Sequence, residues 1–220
     1  VPYLIEVATQ SIDAEVRPES ASVQTSDYLT VFMPGSYKME FRNEQMSEIA
    51  NALESLADYA EATKAGFAPF FEDAYNTAES SKGNIYELQI RIAAVKLFLA
   101  LTKCNPESIP SIFLILLQRM IKSDESEQGE QQDILSVIFN VQNEVEVEGQ
   151  QEIMAALESI INDENCPQEV KIQYLNAIPA ILQNTISCIR EDVEDDEFEG
   201  AEDMYLNVLW PIATTLKFLM

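Results

Sequence analysis

Met46, Ile49, Ala50, Leu53, Leu56, Ala57 and Ala60 follow one another at intervals of three and four, so a helix here carries one apolar stripe. Lys64-Ala65-Gly66 interrupts it. A glycine there suits a helix C-cap, and a positive φ is expected at Gly66. A second helix is expected from Phe67, with Pro69 in its first turn, where a missing N–H costs nothing. Phe67, Phe70, Phe71, Ala74 and Tyr75 form its apolar face. The result is an antiparallel hairpin from Glu44 to Ala78. It cannot bury both faces alone, so it must stack on neighbours of its own kind.

The pattern recurs. Ile85–Lys103 reads as a helix with a wide apolar face, broken at Cys104-Asn105-Pro106. Ser108 then caps a partner helix carrying Ile112, Phe113, Leu116 and Met120, with Pro110 in its first turn. Gln131–Val145 and Gln150–Ile161 read as the next pair, turning at Glu146–Gly149. Gln168–Ile189 follows, with Pro179 expected to kink or split it, and Met204–Met220 is a last helix kinked at Pro211. Starts near 44, 85, 131 and 168 give a period of about forty residues. That period defines an all-α class, an α-α superhelix of HEAT-repeat type spanning residues 1–220. Val1 and Met220 both sit inside apolar patterns, so the expectation is a piece of a longer array.

Two stretches depart from the repeat. Residues 13–43 form a long inter-repeat insertion. Within it Tyr37, Met39 and Phe41 alternate with Lys38, Glu40 and Arg42, which is strand spacing. Residues 191–203 form an acidic inter-repeat loop in which Glu191, Asp192, Glu194, Asp195, Asp196, Glu197, Glu199, Glu202 and Asp203 are nine acids out of thirteen residues. Like charges this dense repel, so an extended, poorly ordered segment is expected, suited to a basic partner. A solvated linker is the alternative. As a calcium loop it would place Gly200 correctly but offers Leu206 where a bidentate glutamate is needed.

The net charge of −25 excludes nucleic acid as a direct ligand and favours basic partners. Residues 124–203 hold 22 of the 38 acids and only Lys171 and Arg190 against them, so an acidic field covers several repeats. The chain has no histidine, which removes the commonest general base and transition-metal ligand. No phosphate-binding glycine loop occurs. The expectation is therefore no enzyme, no cofactor and no metal. No run of eighteen apolar residues occurs, so no membrane span is expected. Cys104, Cys166 and Cys188 are widely spaced and suggest reduced thiols used as small core residues. Trp210, Phe67, Phe70 and Phe71 fall on periodic faces and are assigned to the core.

The run from Ala52 to Glu72, ALESLADYAEATKAGFAPFFE, resembles the importin-β (karyopherin-β) superfamily, whose repeats carry the form A-L-x-x-L-A…x-F-x-P-Y-x-E. Ile90-Arg91-Ile92-Ala93-Ala94-Val95 resembles the opening of the following repeat, and Val1–Glu6 the second helix of the preceding one. The subgroup that imports histones and ribosomal proteins is the most similar. The resemblance implies a nuclear import receptor that shuttles between cytoplasm and nucleus, with basic protein cargo. It also implies a Ran-type GTPase for cargo release and transient contacts with Phe-Gly nucleoporins. A HEAT-repeat scaffold subunit with no transport role is the alternative from another class.

Overall fold

The structure is a computed structural model that describes residues 1–18, 27–33, 37–82, 84, 87–121 and 147–194, with backbone alone at 14, 31–33, 147 and 184–194. The expected helices at Gln131–Val145 and Met204–Met220 lie outside the described residues, as does Trp210. The elements are α1 (Pro2–Ala8), β1 (Ala14–Pro18), β2 (Tyr28–Met33), β3 (Tyr37–Arg42), α2 (Asn43–Thr63), α3 (Phe71–Ser81), α4 (Leu88–Cys104), α5 (Ile109–Met120), α6 (Val147–Ile161) and α7 (Gln168–Glu194).

These helices stack in two layers. α2 packs on α4 and α4 on α6, while α5 packs on α7 in the second layer and α3 lies against α4. Each helix touches near neighbours in the stack, as a solenoid requires. The expected stripe of α2 is buried throughout, with Leu53, Leu56 and Ala60 wholly excluded from solvent. α4 has partners on several sides, which accounts for its wide face: Ile90, Ala93, Leu97, Phe98 and Leu101 are all buried. The small Ala94 and Ala100 are buried with them.

The described helices place α6 beside α4. α6 stacks on α4 in the first layer, and α7 follows it across the short turn at 162–167 to stack on α5. Among the described residues the helix at Val147–Ile161 therefore takes a first-layer place, and the turn expected at 146–149 is helix from Val147 onward, while the partner expected at Gln131–Val145 lies outside the described residues. Among the described residues first-layer helices start at 43, 88 and 147. Periodicity of an isolated helix reveals which face is apolar, not which neighbour covers it.

Local differences have local causes. Between α2 and α3 a 3-10 segment runs from Lys64 to Phe70, so Pro69 lies inside it and α3 starts only at Phe71. The residue with positive φ is Lys64 (φ 48°, ψ −119°), not Gly66. A Cβ on Gly66 would meet only the Thr63 Cβ, at 3.6 Å. Lys64→Gly is expected to stabilise the protein by about 1 kcal/mol, because it relieves the left-handed backbone. Gly66→Ala should stabilise by about 0.4–1 kcal/mol through the unfolded chain alone. Urea unfolding of both variants checks the assignment, and destabilisation by Lys64→Gly would contradict it.

Ser108 makes no side-chain cap for α5; Asn105 Oδ1 instead accepts from the Glu107 N–H at 3.2 Å. α7 runs unbroken through Pro179, so the proline does not split it. Pro179 is exposed, as is Leu175 one turn earlier, so the carbonyl it leaves without a helical donor can be hydrated.

The insertion folds as a three-stranded antiparallel sheet, β1-β3-β2, with β3 central. Its register puts Ala14, Phe41 and Leu29 in one row, Val16, Met39 and Val31 in the next, and Pro18, Tyr37 and Met33 in the last. The intervening rows carry Glu15, Glu40 and Thr30, then Arg17, Lys38 and Phe32. Along β3, Tyr37, Met39 and Phe41 fall on one side of the pleat and Lys38 and Glu40 on the other. Phe41 is buried in the solenoid core and Leu29 and Met39 lie partly against it, but Tyr37 is 51% exposed. The sheet is anchored at one end and leaves the core row by row.

Candidate acidic partner interface

α7 carries Glu191, Asp192 and Glu194 in its final turn, so the acidic stretch begins as helix rather than as extended chain. Asp195, Asp196, Glu197, Glu199, Glu202 and Asp203 lie outside the described residues. Three acids and no base in the last turn stand at the negative end of the helix dipole.

A second acidic site is built where the sheet meets α2. Gln45 holds the junction: its Nε2 donates to the Ser11 carbonyl at 2.9 Å, and its Oε1 accepts from the Asp13 N–H at 3.1 Å. The Asn43 N–H donates to the Asp27 carbonyl at 3.0 Å and fastens the start of β2 to the same point. Two grooves flank Arg42. One of about 330 Å³ is lined by Gln10, Asp13, Arg42, Glu44, Gln45 and Glu48. The other, about 360 Å³, is lined by Asp27, Tyr28, Arg42, Asn43 and Glu44. Sequence reading missed this site, since its acids come from the entry loop, β2's start and α2. Only folding brings them together. The signal available was the alternation at 37–42, which implied partner strands.

Several basic residues are already engaged within the fold. Lys96 Nζ donates to Glu54 Oε1 at 2.8 Å, and Lys103 to Glu61 at 2.5 Å, so α4 is laced to α2 by two pairs forty-two residues apart. The hydrogen bond with Glu54 holds the Lys96 ammonium above the usual lysine range, and Glu152 and Asp58 add to it. With the folded value raised, this pair contributes fully below the ordinary lysine pKa and is lost as pH rises through the raised value. Lys82 pairs with Glu79, and Arg17 with Glu15.

The Cys104 and Cys166 thiols are packed within the fold. Cys104 Sγ donates to the Ala60 carbonyl of α2 at 3.3 Å, and burial pushes both Cys104 and Cys166 above the ordinary thiol range. Phe67 is buried as expected of a core aromatic, edge-on to Phe70 at 6.0 Å. Among the described residues no cluster of three acids or thiols is arranged to hold a metal, and no helix is long and apolar enough to cross a membrane.

Paired helices stacked in two layers, with a sheet inserted between repeats, define a HEAT-repeat solenoid. Solved structures share this fold. The chain superposes on crystal structures of the karyopherin Kap121p: bound to Nup53p (TM-score 0.68, 19% identity), to Ste12p (TM-score 0.69, 18% identity) and to the SUMO protease Ulp1p (TM-score 0.68, 18% identity). Each match covers 99% of this chain and 20% of the karyopherin, so the chain spans about a fifth of the length of those structures. Over nearly its full length the chain has the fold of a stretch of karyopherin solenoid. No protein-family model matches the sequence, and no curated protein does.

Proposed function

We propose that this chain is part of a nuclear import receptor related to the importin-β superfamily, and that it holds basic protein segments against acidic helical-repeat surfaces. The observation that carries the reading is the superposition, over 99% of the chain, on a karyopherin solved with protein partners. The net charge of −25 supports basic partners of histone or ribosomal-protein type. The acids from Glu191 to Asp203 serve as a charged arm at the end of α7. A Ran-type GTPase would release the cargo and Phe-Gly nucleoporins would bind transiently, in a receptor moving between cytoplasm and nucleus. The receptor needs no catalytic residue.

Replacing the nine arm acids by serine and glycine should weaken binding of a histone-like basic peptide at least tenfold at low salt, and less at moderate salt. Each exposed pair contributes only about 0.2–1 kcal/mol, so several must act together. Fluorescence anisotropy reads the effect. Unchanged affinity at both salt levels would make the arm a linker. If no basic protein is retained in a pull-down, with or without the GTP-loaded GTPase, the chain is a scaffold instead.

A further inference from the structure

We propose that the β1 edge of the insertion sheet accepts an extended basic segment of a partner protein as a fourth strand. This rests on the basic-partner reading above. β1 pairs only with β3, so one of its edges faces no strand among the described residues. An edge of this kind offers a row of backbone donors and acceptors, and Pro18 blocks it only at its end. The side chains beside the edge suit one type of occupant. On the apolar side Val16 of β1 is 58% exposed, with Tyr37 of the adjoining β3 51% exposed behind it, leaving a ledge for alternate apolar residues of an added strand. Near the start of β1 lies the groove lined by Asp13, Glu44 and Glu48, three carboxylates against the single guanidinium of Arg42. A lysine at the end of an added strand is complementary to that groove, and an acidic segment is repelled by it. A strand of alternating basic and apolar residues satisfies backbone edge, ledge and groove together. A helix would leave the edge donors and acceptors unmet.

The test is anisotropy titration of a labelled heptapeptide of alternating lysine and valine, compared with the same peptide N-methylated along its central backbone. Methylation keeps every charge and side chain but removes the ladder donors. The methylated peptide should bind at least tenfold more weakly, and Val16→Asp should weaken the parent peptide by a similar factor. Ile172→Asp, on the exposed face of α7, should leave it within twofold. Equal affinity for the two peptides would overturn strand addition while leaving charge-driven binding intact. Methylation sensitivity without an effect of Val16→Asp would overturn the β1 assignment. Failure of both peptides to bind would overturn this proposal and the basic-partner reading together.

Discussion

Phe98→Ala is expected to cost about 3–5 kcal/mol of stability, the usual range for truncating a buried phenylalanine. Phe98 is fully buried on α4, which packs against α2, α3, α5 and α6. Its ring meets Tyr75 of α3 edge-on, with centroids 5.7 Å apart. Removing it empties a volume walled by helices that are themselves tied to other neighbours, so collapse into the gap is restricted. In a solenoid the stability of each repeat depends on its interfaces with the next. Damage to α4 should therefore uncouple the helices on its two sides, and urea unfolding should broaden as well as shift. Tyr59→Ala, at a side chain 52% exposed on α2, should stay within about 0.5 kcal/mol and serves as the control. A loss below about 1 kcal/mol for Phe98→Ala would show that α4 is not the central contact the packing describes.

Glu40→Ala should be nearly as damaging, but only to the sheet. Lys38 Nζ and Glu40 Oε1 stand 2.6 Å apart, and both side chains are almost wholly buried, at 5% and 3% exposure. Arg17 Nε approaches the other Glu40 oxygen at 3.6 Å. Removing the carboxylate strands the Lys38 ammonium in a site shielded from water. Breaking a buried pair in this way costs about 3–5 kcal/mol, because the remaining charge keeps its desolvation penalty. The pair as a whole need not be stabilising. Replacing both partners together, as Lys38→Met with Glu40→Leu, should recover most of the loss. The sheet is anchored to the core mainly through the Phe41 row, so it can open while the solenoid stays folded. Amide hydrogen exchange should show protection lost in β1 and β3 of Glu40→Ala and retained in α4. A variant in which α4 exchanges equally fast would show that sheet and solenoid unfold as one unit.

The acidic site divides along the same line as the fold. The charge run at 191–203 is visible in composition, because a dense charge block needs no partner segment to be recognised. Its first acids nevertheless end a helix, since α7 continues to Glu194. The grooves beside Arg42 were invisible, because Asp13, Asp27, Glu44 and Glu48 are scattered along the chain until Gln45 and Asn43 close the junction.

The sequence by itself determined the helical class, the stripes of α2 and α4, the break after Thr63 and the extended spacing of β3. Each is a period or a breaker acting within a few residues, so local stereochemistry and apolar spacing suffice. Only the tertiary structure decided that α6 stacks on α4, that β3 lies between β1 and β2, and that Lys64 rather than Gly66 takes the left-handed turn. Those outcomes depend on which distant surfaces bury one another. The apolar stripe of α6 does not name its neighbour, and the contact with α4 is seen only in the folded chain. The break after α2 is local, but its left-handed residue, Lys64, is seen only in the folded backbone.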